Sequence, residues 1–318
     1  MASNYSILLT NKTSCGIIMP QNTYNGIMWG DSVTRVVIVT SLKGGVGKTT
    51  VTANLAMTLA RKGHSVVAID CDLESRCLDM VLGLENESLY NISDALSGRC
   101  SVEDAIIRDM RCENLCFISA PAGITDKDSE DYLQTFSAEN IEKLISSLSE
   151  QFEYIIFDLP AHPDGWYELL LKHTDYALVV AMHTAVSIRS AEKTAMTIGE
   201  VYEKLGEGEI YIDDDGDVIE PRLKVRLVIN GFRWRDVSGG VRAGVYDIIT
   251  KTSVKLLGIV PYDEDMAQAQ EVGKLSYQLS KGELPSNTAF NNIALRLDGA
   301  TIPLMSGLLG KRTRRKVL

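Results

Sequence analysis

The chain has 318 residues, 45% apolar and 23% charged, with 32 Lys and Arg against 42 Asp and Glu for a formal net charge of -10. That length gives one large domain or two small ones with ample buried core, and the acidic balance argues against a wholesale nucleic-acid binder, leaving room only for a local basic patch. The six cysteines are too scattered for a disulfide framework and point to a reducing compartment, while the lack of any run of eighteen apolar residues excludes a membrane-spanning helix.

Residues 1 to 33 are rich in Asn, Ser, Thr and Gly and have neither strong periodicity nor the basic start and apolar core of a signal peptide. They read as a flexible arm of a cytoplasmic protein, with Met28 an alternative start. From Thr34 onward, seven apolar runs without strict alternation are expected as strands buried on both faces: 36–39, 66–69, 115–118, 154–157, 177–180, 225–229 and 256–260. Helices are expected between them, at 49–61, 138–149, 188–205, 245–251, 266–272 and 288–297. The alternation predicts an α/β domain over 34–300, a mostly parallel twisted sheet with helices on both faces and ligands at the carboxyl ends of its strands. The segment 209–220 breaks the pattern and reads as a hairpin turning at Asp215-Gly216. Its alternating aspartates do not match a calcium loop, since glycine falls at the fourth position and Lys224 occupies the twelfth.

After the first strand comes Ser41-Leu42-Lys43-Gly44-Gly45-Val46-Gly47-Lys48-Thr49-Thr50, then a run of good helix formers. Small residues at Gly44, Gly45 and Gly47, with Val46 between them, let backbone N–H groups curl around phosphate oxygens at the positive end of a helix. Lys48 would reach the β- and γ-phosphates, Thr50 would complete the cradle, and the Thr49 hydroxyl would ligate Mg²⁺. Two later strands end in carboxylates, at Asp70-Cys71-Asp72 and at Asp158. Asp158 fits an acid acting on Mg²⁺, and Asp72 is placed to orient the attacking water, although a strand-end Asp also serves as a helix cap.

The string Lys43 to Thr50, with its additional lysine ahead of the glycines, resembles the deviant phosphate loop of the MinD/ParA family of ATPases. The stretch from Asp70 to Gly83, Asp126-Lys127-Asp128, Asp158-Leu159-Pro160-Ala161, Val186 to Arg189, Asn230 and Gly258 to Asp263 are similar to its MinD branch. The resemblance implies ATP and Mg²⁺ as cofactors and an ATP-dependent homodimer in which Lys43 reaches the partner's phosphates. It further implies that Asn230 recognises adenine, with Pro261 and Asp263 lining the base pocket. The chain departs from the pattern at His162, where a glycine is common, and at Ser190, where some relatives carry an acid.

After Asp298 there is no acidic residue. Leu304, Met305, Leu308 and Leu309 fall on one face of an expected short helix, followed by Lys311, Arg312, Arg314, Arg315 and Lys316. The segment 301–318 resembles the family's amphipathic membrane tail, which implies peripheral attachment to an anionic inner membrane surface when ATP is bound. The first 300 residues carry 27 basic against 42 acidic side chains, so the body would be repelled by lipid and DNA alike. By resemblance, the function is division-site placement through a MinC-like inhibitor and a MinE- or DivIVA-type regulator. Two readings stay open beside it: a ParA-like partitioning ATPase that binds DNA, and a regulator of flagellum or pilus number.

Overall fold

A computed structural model describes residues 34–85, 87–121, 129–163, 165–207, 211–212, 218–219, 221–279 and 284–308. The expectations for residues 1–33, for 126–128, for the hairpin turn and for Leu309 to Lys316 lie outside those residues.

Among the described residues ten strands form in chain order: β1 (Arg35–Thr40), β2 (Val66–Asp70), β3 (Ile107–Arg108), β4 (Leu115–Ile118), β5 (Tyr154–Asp158), β6 (Tyr176–Ala181), β7 (Tyr211–Ile212), β8 (Val218–Ile219), β9 (Lys224–Phe232) and β10 (Leu256–Pro261). Eight of them build one sheet in the order β10-β9-β6-β1-β5-β2-β4-β3, parallel except for β3 at the edge. The strands β7 and β8 pair antiparallel by themselves, as the inserted hairpin requires.

Six helices correspond to the expected ones: α1 (Lys48–Arg61), α2 (Ala138–Ser149), α3 (Ala185–Lys204), α4 (Val245–Thr252), α5 (Glu264–Gln270) and α6 (Pro285–Leu297). Their patterns alternate across the sheet. Val37 and Val39 of β1 share one core with Leu55 and Leu59 of α1 and with Phe290 and Ile293 of α6. Val36 and Ile38 share the opposite core with Ile141 and Leu144 of α2 and Ile188 and Ile198 of α3. Both sets are buried, which is why the strand sequences read as continuous apolar runs. In β10, Gly258 admits α6 so closely that a Cβ there would lie 2.2 Å from Ile293 Cγ1.

Central β1 lies between β5 and β6, so the chain's first crossover and its later ones leave on opposite sides. The carboxyl end of β1 is therefore the switch point where α/β sheets open a crevice for ligands.

The end of the described chain differs from expectation. Residues 304–308 form turns rather than a helix, with φ of +57° at Met305 and +75° at Gly307. Met305 is only 4% exposed and belongs to the core, and Leu308 packs against both cores. Arg296 of α6 holds the approach by donating to the carbonyls of Ile302 and Pro303, and Asn292 Nδ2 donates to Ser306 O at 2.7 Å. The apolar face read as a lipid-binding helix is, at Met305, a protein-binding one.

Candidate nucleotide site

The loop from Ser41 to Gly47 joins β1 to α1 at the switch point. Gly45 and Gly47 take φ of +71° and +89°, a left-handed backbone that glycine adopts without strain. At Gly47 a side chain is excluded for a second reason, because a Cβ would lie 2.2 Å from Asn230 Nδ2. The loop thus delivers Lys48 and Thr49 into the first turn of α1, whose unpaired N–H groups favour an anion. Gly44 and Gly45 are exposed, while Val46 is buried beneath them as an apolar anchor.

Lys48 is buried, which pushes its ammonium pKa down; Asp158 and Asp72 oppose that shift and hold the charge. Asp158 ends β5 opposite Val39 on one side and Asp70 on the other. Burial raises its carboxyl to about 6, against hydrogen bonds from Thr49 and Thr52 and the charge of Lys48. Its Oδ1 accepts from Thr52 Oγ1 at 2.8 Å. Neighbouring Asp70 is raised by burial to about 8 and accepts backbone N–H bonds from Asp72 and Leu78. Asp70 thereby shapes the loop that presents Asp72.

Asp72 itself is partly exposed, and its Oδ1 accepts from Ser75 N at 2.9 Å and Glu74 N at 3.3 Å. One oxygen is spent on the turn, and the side chain remains close enough to Lys48 to stabilise its charge. Lys43 folds its Nζ back onto Gly44 O at 3.3 Å in an exposed position. Ala161 follows the β5 carboxylate and lies by Gly44, where an added Cβ would stand 3.9 Å from its own; His162 beside it is exposed.

On the other side of the loop, Asn230 of β9 is buried and donates from Nδ2 to Val46 O at 2.9 Å. Pro261 closes β10, and Arg233 lays its guanidinium 3.6 Å over the ring centre of the following Tyr262. Asp263 departs from its expected part in a base pocket. Its carboxylate caps α5 through Met266 N and takes Ser286 N and Ser286 Oγ at 3.3 and 2.8 Å, tying α5 to the start of α6. The turn after β10 therefore offers Pro261 and Tyr262 outward, with Asp263 turned into the fold.

Lys48, Thr49, Asp72 and Asp158 thus converge at the carboxyl ends of the central strands, and Asn230 adjoins them. Thr52 and Gln270 belong to the same surroundings and are not singled out by the sequence, and Asp70, a strand-end carboxylate there, has no role assigned from it. Thr52 was within reach of such reading, being three residues beyond Thr49 on one helix face. Among the described residues no group of three or more His, Cys, Asp and Glu side chains forms a metal cage. One carboxylate with a hydroxyl is instead the sparse oxygen set that suits Mg²⁺ shared with phosphates.

A family model described as an AAA domain (AAA_31) matches residues 34–209. The chain is 33% identical to the septum site-determining protein MinD of Synechocystis over 289 residues, covering 89% of this chain and 98% of that one. It is 31% identical to the protein of the same name from Bacillus subtilis, covering 85% and 91%. Among solved structures, the MinD cell division protein of Aquifex aeolicus is similar with a TM-score of 0.68 at 28% identity, covering 85% of this chain and 99% of that one. A MinC:MinD cell division complex from Aquifex aeolicus gives 0.67 at 30% identity, covering 85% and 98%. A ParA family ATPase from Chlorobium tepidum, at 21% identity and a TM-score of 0.61 with 84% and 100% covered, shares the fold.

Proposed function

The chain belongs to the MinD group of P-loop ATPases and is an ATPase, and from that premise we propose that it is an ATP-operated switch in division-site placement. The observation that carries this reading is the Lys48, Thr49 and Asp158 constellation at the β1 switch point, in a chain similar to MinD proteins over most of its length.

In this reading the backbone N–H groups from Gly44 to Thr50 cradle the phosphates. Lys48 neutralises their charge, and its partly desolvated ammonium acts more strongly than it would in water. Thr49 and Asp158 would hold Mg²⁺, which would supply positive charge beside the phosphates when bound. Asp72, with one oxygen fixed by its own turn, orients the attacking water through the other. Asn230 contacts the base.

Lys43 is half-buried and its Nζ bonds only to its own loop, so it can swing to a second subunit's γ-phosphate. ATP then bridges the homodimer, and loss of the γ-phosphate releases it. The basic segment from Lys311 to Lys316 provides membrane attachment at roughly 1 kcal/mol per basic residue near an anionic surface. Two such tails on one dimer bind far more tightly than one, so membrane residence reports the nucleotide state. A MinC-like inhibitor is the client in this scheme, by analogy with the Aquifex aeolicus complex, and a MinE- or DivIVA-type protein its regulator.

Co-sedimentation with anionic liposomes under ATP and under ADP tests the switch, using the full chain and a chain ending at Gly307. ATP-dependent pelleting of the full chain alone is expected. Binding that ignores the nucleotide, or none at all, contradicts the reading, and an ATP-dependent shift of duplex DNA without liposome binding replaces it with a partitioning role.

A further inference from the structure

Two amide side chains flank the phosphate loop, and each has one atom without a partner. Asn230 spends Nδ2 on Val46 O, while its Oδ1 is buried with no hydrogen bond among the described residues. Gln270, the last residue of α5, accepts through Oε1 from Thr50 Oγ1 at 3.1 Å, while its Nε2 is buried and equally unpartnered. Both groups lie against the same turn, since a Cβ at Gly47 would touch the Asn230 amide at 2.2 Å and Thr50 Cβ at 3.6 Å. A buried polar atom left unpaired costs free energy, so two of them flanking one phosphate loop call for an explanation.

As placed, the pair offers one free acceptor, Asn230 Oδ1, and one free donor, Gln270 Nε2. The Val46 carbonyl fixes the orientation at Asn230, because only the NH₂ end can face a carbonyl oxygen. Adenine presents a matching edge, with the N6 amine as donor beside the N1 acceptor, whereas guanine places the O6 acceptor where adenine has its amine and carries an N–H donor at N1. Guanine would therefore set an oxygen against Asn230 Oδ1.

We infer that Gln270 is a base-reading residue, donating from Nε2 to an adenine ring nitrogen while Asn230 Oδ1 accepts from the N6 amine, so that the two amides together select ATP over GTP. This rests on the reading of Asn230 as the base contact. Through Oε1, Gln270 also bonds the Thr50 hydroxyl of the phosphate cradle, which couples the nucleoside end of the site to its phosphate end.

The test is competition binding of ATP and GTP to the full chain and to the Gln270→Leu, Gln270→Glu and Asn230→Ala variants, with thermal melting of each variant to confirm folding. Gln270→Glu keeps an oxygen for Thr50 but has no donor, and Gln270→Leu removes the donor without adding charge. Both are expected to weaken ATP roughly 10-fold, the worth of one hydrogen bond, with GTP affinity changed much less, so that the ATP-to-GTP preference narrows. An equal loss for both nucleotides would show that Gln270 only supports Thr50, and would overturn the inference. If Asn230→Ala narrows the preference and neither Gln270 variant does, the base contact stands and Gln270 is excluded from it. If no variant alters the preference, the base-site reading falls together with the inference.

Discussion

Thr52 Oγ1 donates to Asp158 Oδ1 at 2.8 Å, joining the second turn of α1 to the end of β5 across 106 residues of sequence. The hydroxyl also lies 3.1 Å from Lys48 O, so it is fixed to the same turn that presents the Lys48 side chain. Both side chains are fully buried. Thr52 therefore sets the orientation of the carboxylate that would meet Mg²⁺, and it is a positioning residue. A Thr52→Val change keeps the shape and removes the bond. It should destabilise the fold by about 1 kcal/mol and raise the Mg²⁺ concentration needed for half-maximal phosphate release. ATP binding measured in EDTA should change little. An unaltered Mg²⁺ dependence would contradict the positioning role.

The two loop lysines should separate in their effects. Lys48 is buried against Asp158 and Asp72, and its alanine variant loses a charge-assisted contact worth about 3 kcal/mol, or roughly 100-fold in ATP affinity. Lys43 is half-buried, and its Nζ bonds Gly44 O of its own loop. Its alanine variant should retain most of the ATP affinity while losing ATP-driven dimerisation and turnover. Fluorescent-nucleotide binding, light scattering and phosphate release distinguish the two. A Lys43→Ala protein that dimerises normally with ATP would remove this residue from the switch.

What the sequence disclosed follows the range over which each feature is encoded. The phosphate loop is contiguous, so glycine spacing, the lysine and the neighbouring strand and helix were all readable from Val36 to Arg61. The parallel strands were readable because burial on both faces leaves an unbroken apolar run. The edge strand β3 has two residues, and the helices Leu78–Leu82 and Val102–Ala105 have five and four, too few for a period to emerge. Contacts such as Thr52 with Asp158 or Thr50 with Gln270 pair positions 106 and 220 apart, which no local pattern encodes. Asp263 and Met305 show a different limit. A strand-end carboxylate is equally suited to a ligand or a helix cap, and an apolar stripe to lipid or to a core; only the neighbouring Ser286 and Arg296 decide.

The placement of Met305 leads to a stability prediction. Removing a buried methionine side chain costs about 2–5 kcal/mol where the site does not collapse. Met305→Ala and a chain ending at Ala300 should therefore both lower the urea midpoint. A chain ending at Gly307, which keeps Met305 and its anchors, should lose much less. Equal stability of all three with the full chain would contradict the docking of 302–306 on α6.

His64 supplies the clearest pH dependence. It lies between Glu153 Oε2 and Asp298 Oδ2, both at 3.3 Å, and packs edge-on against Tyr154. The Asp298 and Glu153 hydrogen bonds outweigh partial burial and raise its pKa from 6.5 to about 9. Between those two values the folded protein holds a proton that the unfolded chain releases. The stabilisation is thus complete below about pH 6.5 and is lost as pH rises through 9. It amounts to about 2 kcal/mol, given that the imidazole is about one quarter exposed. Urea unfolding of the parent chain should show a falling midpoint between pH 6.5 and 9.5. A His64→Gln variant should begin lower and lack most of that slope. If parent and variant decline in parallel, the proton is not held at His64, and the pairing of β5 with the end of α6 through this residue contributes nothing to the pH dependence.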